Sequence, residues 1–509
     1  MRRLSGRCTS HLKALLGLTG LALGGAPALA AACTVTPGPG GDVLIRAVVL
    51  TADRAITPGE VLVDGEGMIA CVGATCSAGA PDATRIDCPD AILSPGFVNP
   101  HEHLAFGNIP PVPDEGIRYT HRHDWRKGLN GYAPAETFAP ATDPDLIAWM
   151  ELRHLLAGET AIIGGDMAPG LARNLDHFAG LEGLETPRAT YSVFPLDDAA
   201  GIERTRDCDY GPLAATAEQV AGLHVFVVHL AEGVSEAARN EYRCTTDPDY
   251  DATPLATGGG VAQDILHENV TVLHGVGLDK AMLADLARRH VALVWSPRSN
   301  LALYGRTLDI VEAQRLGMPI ALGTDWLFTG SMTLVREADC ARRYSESIGH
   351  PLDGRTLWTM MTAAGARAAR MSGLIGTIAP GAAADLILVD EPDAGGDPYL
   401  AAATARPAQL RLIMRGGHVL SGDARLVAAL KVPGCEPVDM AGRSKWLCFA
   451  TAGAKGYTAL KARADAAGLW PAFFADAPPV EPVCRTARTT KPDGRPLPLS
   501  NDESRDRTE

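Results

Sequence analysis

The sequence predicts an α/β protein built on a (β/α)8 TIM barrel, with a small composite β-sandwich domain beside it. Three observations lead to this prediction. Five short apolar runs lie between residues 97 and 324, and such continuous runs are typical of strands buried on both faces of a parallel sheet. Four of the runs lead into histidine or aspartate, residue types that bind metals and transfer protons. The intervals between them suit βα units of about 30 residues each.

The five runs set the order of the barrel strands. The interval between His103 and His229 has room for four βα units, so the runs fall on strands 1, 5, 6, 7 and 8. Because the C-terminal tips of these strands meet at one face of a barrel, the residues there are expected to converge. The runs are residues 97–100 before His101 and His103, 225–228 before His229, 270–273 before His274, 291–294 before Trp295, and 320–324 before Asp325.

The segments outside the barrel have a different pattern. Residues 43–93 and 376–430 are rich in short strands and turns, and two such segments are expected to pack together as one composite β-sandwich. Residues 94–375 then form the barrel, and residues 431–484 form a cysteine-bearing C-terminal extension. Residues 485–509 are polar and carry prolines, which predicts a disordered tail.

The N-terminus has the pattern of a signal peptide over residues 1–30. A basic start precedes the uncharged apolar stretch 14–26, and small residues at Ala28 and Ala30 suit a cleavage site. The apolar stretch is too short to span a membrane comfortably, so a transmembrane anchor is the weaker alternative. We therefore expect an exported protein, periplasmic or secreted, and Cys33 leaves a lipid anchor as a second alternative.

The cysteine count agrees with export. The chain has 11 cysteines, and removing the leader takes away Cys8 and leaves an even number, as disulfide pairing requires. No cysteine lies next to the histidines, which argues against a zinc–cysteine site. The spacing favours local pairing of Cys76 with Cys88, Cys208 with Cys244, and Cys435 with Cys448, but the sequence leaves the connectivity open, and buried free thiols are the alternative.

Composition narrows the class of partner. A hydrophobic content of 46% and a charged content of 21% describe an ordinary globular protein. The net charge is −14 and no basic patch stands out, which argues against a nucleic-acid partner. A small-molecule substrate and a homo-oligomer both remain compatible with the sequence.

The residues at the strand tips predict a metal site. His101 and His103 stand at i and i+2, so both imidazoles project to the same side of an extended strand end. His229 adds a third imidazole and Asp325 a carboxylate, which together suit Zn²⁺ or Fe²⁺ with a position left open for water. The alternatives are a surface histidine pair, a buried core histidine at 229, and a helix N-cap at Asp325.

At these residues the chain resembles the amidohydrolase superfamily, metal-dependent hydrolases of non-peptide C–N bonds. The similarity is to single-metal deaminases and imidazolonepropionase-like members. It covers roughly residues 43–430 and implies the barrel, the composite β-domain and the metal ligands. The motifs that carry it are residues 93–103 with the H-x-H pair, the H-x-x-E at 229–232, the G-T-D at 323–325, and the segment 376–389.

The resemblance also assigns proton-transfer roles. It implies that Glu232 takes a proton from the attacking water and delivers it to the leaving nitrogen. His274 is implied to hold or polarise that water, and Asp325 to share in moving protons. A solvated glutamate at the start of a helix and a buried structural histidine are the alternatives.

An absence of lysine favours a single metal. Two-metal members of the superfamily bridge their metals with a carboxylated lysine at the end of strand 4. The chain has no lysine between Lys127 and Lys280, and the expected strand-4 run, residues 190–195, cannot supply one. We therefore expect one divalent metal, zinc before iron.

Two segments are candidates for substrate contacts. Residues 121–126 are expected in the loop after strand 1, where Arg122 or Arg126 could hold a substrate carboxylate. A second metal site and a structural polar loop are the alternatives there. The strand-7 loop contributes Trp295, Ser299 and Asn300, and related deaminases often have His or Asn where this chain has tryptophan.

Three functions follow from the sequence. The leading prediction is a mononuclear metallohydrolase of C–N bonds, either an aminohydrolase (deaminase) or a cyclic amidase. The second is a peptidase-like amidohydrolase acting on acyl-amino acids or dipeptides. The third is a non-catalytic metal-binding protein of the cell envelope, against which the complete ligand set argues.

Overall fold

The computed structural model describes residues 33–111, 113–135, 139–164, 170–177, 181–390, 396–491 and 494–495. The predicted signal peptide, residues 1–30, lies outside the described residues, as does the tail from residue 496 onward. Among the helices that are described, none is long and apolar enough to cross a membrane.

The described residues form 18 strands in three sheets. They are β1 Thr34–Thr36, β2 Val43–Leu50, β3 Ala55–Val63, β4 Ile69–Gly73, β5 Thr84–Pro95, β6 Phe97–Asn99, β7 Glu159–Ile162, β8 Arg173–Asn174, β9 Thr190–Ser192, β10 Phe226–Leu230, β11 Val270–His274, β12 Ala292–Trp295, β13 Ile320–Leu322, β14 Leu386–Asp390, β15 Leu410–Arg415, β16 His418–Asp423, β17 Glu436–Met440 and β18 Arg443–Leu447.

Thirteen α-helices are present in the same described ranges. They are α1 Arg122–Lys127, α2 Pro144–Leu156, α3 Ala217–Ala221, α4 Glu236–Cys244, α5 Lys280–Arg288, α6 Pro297–Tyr304, α7 Ile310–Arg315, α8 Leu334–Ser347, α9 Gly354–Met361, α10 Ala363–Ala368, α11 Pro398–Ala403, α12 Ala424–Leu430 and α13 Tyr457–Ala466. Short 3-10 helices occupy Cys76–Gly79, Leu104–Phe106, Leu129–Gly131, Leu181–Gly183, Pro407–Gln409 and Phe449–Ala452.

Eight parallel strands carry the candidate site. Strands β6, β7 and β8 form one parallel sheet, and β9 to β13 form another in chain order. A parallel bridge between Glu102 and Asp325 joins the chain just beyond β6 to the chain just beyond β13. Every residue of β10 and β11 is buried, which is why these strands are unbroken apolar runs. The predicted α/β architecture with parallel strands is therefore confirmed.

The tips follow the predicted order along these strands. His101 and His103 come just after β6, the first parallel strand, and His229 lies in β10, the fifth. His274 ends β11 and Trp295 ends β12, the sixth and seventh. Asp325 follows β13, the eighth.

The two ends of the chain combine in a ten-stranded sheet. Its order is β17-β18-β16-β15-β14-β5-β2-β3-β4, with β1 paired to β5. The junction is antiparallel, with Leu386 opposite Pro95 and Leu388 opposite Leu93. Strands β17 and β18, from the C-terminal extension, prolong this sheet at one edge. The strands of the ten-stranded sheet therefore come from chain segments that directly precede and directly follow the eight parallel strands.

Five disulfides join ten cysteines. Cys208–Cys244 and Cys435–Cys448 form as predicted. The predicted Cys76–Cys88 pair is wrong, because Cys88 bonds Cys33 and Cys76 bonds Cys71. The reason is strand pairing: β1 lies beside β5 and delivers the N-terminal cysteine to Cys88, whereas the 3-10 helix at Cys76–Gly79 packs against β3 and β4. The fifth bond, Cys340–Cys484, ties the C-terminal segment to α8.

Candidate metal centre

Four side chains from three strand tips meet at one point. One ligand atom from each of His101, His103, His229 and Asp325 lies within 4.8 Å of every other. The Nε2 atom of His229 is 3.3 Å from that of His101 and 3.1 Å from that of His103. Asp325 Oδ1 is 3.4 and 3.3 Å from the same two nitrogens. Ligands about 2.0–2.1 Å from a tetrahedral metal stand about 3.3 Å apart, so these residues fit a divalent metal.

Hydrogen bonds behind the ring point the histidine lone pairs inward. Nδ1 of His101 lies 2.9 Å from Ser296 Oγ, and Nδ1 of His229 lies 3.4 Å from the Ser192 carbonyl oxygen. With Nδ1–H donating to these oxygens, each Nε2 has a lone pair for a metal. Burial, and then the neighbouring imidazoles, lowers the pKa of both histidines well below the usual value. Both rings are therefore neutral, as metal ligation requires.

The carboxylate ligand is oriented from the strand-7 side. Ser299 Oγ donates a hydrogen bond to Asp325 Oδ2 at 2.5 Å, which leaves Oδ1 facing the histidines. Burial lowers the pKa of His103, but the hydrogen bond and charge of Asp325 outweigh it and raise that pKa overall. The carboxylate and this imidazole are thus already electrostatically coupled at the point where a cation fits.

The backbone at the tips is turned into an unusual conformation. Ala231, His274 and Asp325 have φ angles of +52°, +65° and +64°. Non-glycine residues rarely adopt this left-handed region, and such strain clusters at functional sites. Each of these residues ends a buried strand or follows one closely, so the left-handed conformation changes the direction of the chain at the strand tips, where the side chains of the centre converge.

Glu232 stands beside the metal group with a fixed orientation. It is 4% exposed, and its Oε1 accepts a hydrogen bond of 2.7 Å from the hydroxyl of Tyr304. That hydroxyl accepts in turn from Trp125 Nε1–H at 3.1 Å. The other oxygen, Oε2, is 3.9 Å from His274 Nε2. One carboxylate oxygen is therefore anchored, and the other is available for proton transfer.

His274 presents an unpartnered nitrogen to the centre. Its Nδ1 lies 2.8 Å from Asn300 Oδ1, and the same amide donates through Nδ2 to Thr307 Oγ1 at 3.1 Å. This orientation of the amide makes Nδ1–H the donor and leaves Nε2 with a lone pair. Within the described structure Nε2 is buried and has no hydrogen-bond partner, and its ring centroid is 4.7 Å from that of His101. Such an orphan marks a place for a water or a substrate atom.

A cavity of about 410 Å³ opens onto this centre. Its reactive end is formed by His103, His229, Glu232, His274 and Asp325. Aromatic and basic side chains form most of the rest of its wall, together with Ala135 and Val193. They are Phe106, Trp125, Phe194 and Trp326 among the aromatics, and Arg122, Arg126 and Lys127 among the bases. The volume and the mixed lining suit a small planar molecule.

Comparison with known proteins identifies the family. A sequence profile of the amidohydrolase family matches residues 226–420. A 5-methylthioadenosine/S-adenosylhomocysteine deaminase of Desulforudis audaxviator is 30% identical over 373 residues, which cover 66% of this chain and 80% of that protein. The chain belongs to the amidohydrolase family. It is an enzyme that uses a metal to hydrolyse non-peptide C–N bonds.

Another sequence relative and two solved structures are also similar to this amidohydrolase. A deaminase of the same description from Moorella thermoacetica is 28% identical over 383 residues, 67% of this chain and 85% of that protein. A zinc-bound adenosine deaminase from Xanthomonas campestris superposes with a TM-score of 0.51 at 19% identity, covering 78% of this chain and 97% of that one. An atrazine chlorohydrolase of Arthrobacter aurescens, complexed with zinc and atraton, gives 0.53 at 17% identity over 74% and 95%. At these identities the structural likeness concerns the fold alone.

The residues predicted to contact substrate divide into two groups. Arg122 and Arg126 line the cavity. Ser299 and Asn300 instead hold Asp325 and His274 by hydrogen bonds, so they act through those residues.

The prediction for Trp295 needs correction. Its ring is fully buried, packs at 5.9 Å from Tyr344 and donates through Nε1 to Thr307 Oγ1 at 2.7 Å. It is not among the residues that line the described cavity. The side chain alternation of β12 turns this position outward, toward α8, whereas the following helix α6 carries the residues that face the site.

The predicted loop after the first strand is a short helix in this amidohydrolase. His121 caps α1, its ring accepting from the His123 backbone N–H, and Asp124 completes a capping box. Among the described residues, only the group at His101, His103, His229 and Asp325 has metal-binding geometry, so the second metal site considered for this segment does not form there.

Sequence reasoning missed the residues that orient His101 and Glu232. Ser296 begins the strand-7 loop segment 296–301 but was given no role of its own, and Tyr304 belongs to no motif, yet they contact His101 and Glu232. The position of Tyr304 could have been inferred from its spacing: Asn300 and Tyr304 stand at i and i+4, so they share the face of α6 on which the predicted site residue Asn300 lies.

A buried polar network supports the chain beyond β6. Glu102 accepts a hydrogen bond from Thr324 and lies 3.7 Å from His154, which contacts Glu159 at 2.8 Å. Asn99 donates to Glu159 at 2.9 Å and to Thr324 at 2.6 Å. Burial raises the pKa of Glu102 to about 7. The network ties the first strand tip to the eighth, which keeps the metal-binding residues of both in register.

Proposed function

We propose that this amidohydrolase is an aminohydrolase that removes an amino group from a nitrogen heterocycle with one bound metal. The observation that carries the proposal is the convergence of Glu232 Oε2 and the unpartnered His274 Nε2, 3.9 Å apart, beside the four ligand-type residues. The deaminase relatives from Desulforudis audaxviator and Moorella thermoacetica, named for 5-methylthioadenosine and S-adenosylhomocysteine, support a purine-like ring.

His101, His103, His229 and Asp325 would hold the metal, which when bound lowers the pKa of a water ligand toward neutrality. Glu232 accepts the proton of the attacking water through Oε2 while Tyr304 holds Oε1 in place. His274 accepts a hydrogen bond from that water at Nε2 and so orients it toward an sp² carbon of the substrate. Glu232 then returns the proton to the departing nitrogen, the C–N bond breaks, and ammonia leaves.

A single zinc is the proposed cofactor. Strand β9, the fourth parallel strand, carries Thr190, Tyr191 and Ser192 and offers no lysine to bridge two metals. Three imidazoles and one carboxylate suit zinc, and iron is the alternative. Elemental analysis of the purified protein should give about one metal per chain. A reproducible content of two metals would contradict the single-metal site.

We also propose that the eight parallel strands close into a barrel. Support comes from the Glu102–Asp325 bridge on one side and, on the other, a 2.8 Å hydrogen bond from the Ala189 amide to the Leu175 carbonyl between the chains at β8 and β9. Strands β2 to β5 and β14 to β16 of the ten-stranded sheet would then belong to the composite β-sandwich at residues 43–93 and 376–430, beside a barrel at 94–375.

Export to the periplasm or medium is the proposed location. The five disulfides support it, since such bonds persist in oxidising compartments. Cys33 is bonded to Cys88, and a lipid anchor would need the same sulfur, so the two modifications exclude each other. Mass spectrometry of the mature N-terminus from fractionated cells distinguishes a free chain cut after residue 30 from a lipidated Cys33.

Ammonia release tests the proposed reaction. The zinc-loaded protein is assayed with 5-methylthioadenosine, S-adenosylhomocysteine, adenosine and guanine, and in parallel with cyclic amides, acyl-amino acids and dipeptides. We expect ammonia from an amino-heterocycle. Ring opening of cyclic amides without ammonia would indicate a cyclic amidase, and amine release from acyl-amino acids would indicate the peptidase-like alternative.

A matched variant checks the role of Glu232. Glu232→Gln keeps the shape and the hydrogen bond from Tyr304 but cannot carry the proton. It should retain the metal and lower kcat by roughly 10²–10⁴-fold, the usual contribution of a positioned acid–base group. An unchanged kcat on the true substrate would show that the proton takes another route.

A further inference from the structure

The backbone at Glu232 has a conformation that its surroundings must hold. Ala231, the residue before it, has a φ angle of +52°. Non-glycine residues rarely adopt this left-handed region, and they keep it where neighbouring contacts determine the turn. The point from which the Glu232 side chain starts therefore depends on the contacts of the Ala231 backbone.

A buried carboxylate makes one of these contacts. Oε2 of Glu241 accepts a hydrogen bond of 2.8 Å from the Ala231 amide. Glu241 lies in α4, the helix that follows strand β10, and its side chain is fully buried. The carboxylate thus holds the backbone two residues after His229 and one residue before Glu232.

The other oxygen of Glu241 is held by α1 and its cap. Oε1 lies 3.1 Å from His121 Nε2 and 3.2 Å from Arg122 Nη2. His121 Nδ1 accepts from the His123 backbone N–H, so Nε2 carries the hydrogen and donates. Three N–H donors therefore meet one carboxylate, and both of its oxygens are used. A glutamine at this position would offer one acceptor oxygen in place of two.

Backbone hydrogen bonds hold the rest of the turn. The Gly277 amide donates to the Ala231 carbonyl at 2.9 Å, and the Arg122 amide donates to the Glu232 carbonyl at 3.1 Å. Both bonds engage carbonyl groups, whereas the Ala231 amide is held by the side chain of Glu241. Loss of that carboxylate would therefore shift the turn without unfolding it.

We propose that Glu241 is a positioning residue for the hydrolysis: by holding the Ala231 amide, it sets the place of Glu232 beside His274. This role rests on the proposed function of Glu232 as the proton carrier. Tyr304 holds only Oε1 of Glu232, so the backbone fixes where Oε2 stands, 3.9 Å from His274 Nε2. Glu241 is not among the residues that line the described cavity, and it acts through the turn.

Hydrogen exchange tests the contact without turnover, on the zinc-loaded Glu241→Gln protein. The single glutamine oxygen is drawn to the Arg122 cation, which turns the amino group toward the Ala231 N–H. Peptides that span residues 230–235 should then exchange about 10- to 100-fold faster, the equilibrium factor for one charge-assisted hydrogen bond. Unchanged exchange in these peptides would overturn the proposal.

Kinetics test the consequence for the reaction. Glu241→Gln should lower kcat about 10- to 100-fold, the scale expected for a catalytic group misplaced by about 1 Å, with KM and zinc content unchanged. In a Glu232→Gln background the same substitution should cost nothing more, because the group that it positions no longer carries a proton. An equal loss in both backgrounds would indicate general damage to the fold and would overturn the proposal.

Asp198→Asn is the matched control. Asp198 is also fully buried and contacts Arg122 at 2.5 Å, but its second oxygen has no hydrogen-bond partner among the described residues. Its substitution should lower the melting temperature and leave both kcat and the exchange of residues 230–235 at the wild-type level. Losses equal to those of Glu241→Gln would trace the effect to the guanidinium and would refute the role of the Ala231 amide.

Glu241→Asp serves if the glutamine variant does not fold. It keeps a charge for Arg122 and withdraws the carboxylate from the Ala231 amide by one methylene, so it should also show faster exchange and a lower kcat. Wild-type values of both would overturn the proposal. The kinetic measurements use whichever compound of the substrate panel is hydrolysed. A cyclic amide or an acyl-amino acid would therefore contradict the proposed aminohydrolase and leave this test intact.

Discussion

Substitution of Asn300 tests how the protein controls His274. The Asn300 Oδ1 atom accepts from Nδ1–H at 2.8 Å, which directs the Nε2 lone pair to the metal centre. In Asn300→Leu the ring must either bury an unpartnered N–H or take the other tautomer, which places a hydrogen where the lone pair is needed. Both outcomes remove the productive form.

The magnitude follows from that choice. Leaving a buried N–H without an acceptor costs about 1–3 kcal/mol. With about 1.36 kcal/mol for each factor of ten in rate, kcat/KM should fall about 5- to 150-fold. The metal ligands do not contact Asn300 through any described hydrogen bond, so the metal content should stay at the wild-type level.

A control on the same strand separates catalysis from stability. Asn269 precedes β11, whose last residue is His274, and its amide donates to the Val220 and Leu223 carbonyls at 2.8 and 3.2 Å. Asn269→Leu removes a comparable amide at the end of the strand remote from the site, so it should lower the melting temperature but leave kcat/KM unchanged. Ammonia release, elemental analysis and thermal unfolding are measured on both variants. An Asn300→Leu enzyme within twofold of wild-type kcat/KM, with its metal bound, would refute the tautomer argument.

Three other predictions follow. His101→Ala removes a ligand held by Ser296, so elemental analysis should find the metal lost and ammonia release abolished. Serine replacement of both Cys340 and Cys484, whose disulfide closes a loop of 144 residues, should lower the stability by up to about 5 kcal/mol. The same replacement of Cys435 and Cys448, whose disulfide closes a loop of 13 residues, should lower it by about 3 kcal/mol. A larger fall in melting temperature for the Cys435 and Cys448 variant would contradict this order. Burial raises the pKa of Glu337 from 4.5 to about 7, so the folded state holds this proton to a higher pH than the unfolded state and loses stability as the pH rises from 4.5 to 7. Glu337→Gln cannot ionise, so its stability relative to the wild-type protein should increase by up to about 3 kcal/mol over that interval. Thermal unfolding of both proteins at pH 4.5 and at pH 7 measures the difference.

Much of the fold and of the candidate centre could be predicted because the relevant signal is local. A continuous apolar run can be buried on both faces only as a strand of a covered parallel sheet, and the residue after it must emerge at the C-terminal edge. His229, His274 and Asp325 each follow such a run directly, so their meeting needed no knowledge of distant contacts.

The orienting residues could not be predicted because their partners are far away along the chain. Ser296 contacts His101 across 195 positions, and Tyr304 reaches Glu232 across 72. Neither the serine at the start of α6 nor the tyrosine at its end has a feature in the neighbouring sequence that identifies a partner so far away. The error at Cys76 and Cys88 has the same cause, since the pairing of β1 with β5 brings in a cysteine 55 residues away.

The sequence by itself therefore determined the order of the parallel strands and the identity of the metal-type residues. The tertiary structure decided which nitrogen of each histidine faces the centre and which arginine is in direct contact with carboxylates. Arg122 and Arg126 are the same residue type four positions apart, so the sequence does not distinguish them. In the folded chain Asp198 and Glu241 contact Arg122, whereas Arg126 contacts the neutral ring of His123. The physical reason is that hydrophobic periodicity depends on neighbours in the chain, whereas electrostatic compensation and hydrogen bonding depend on distances in space.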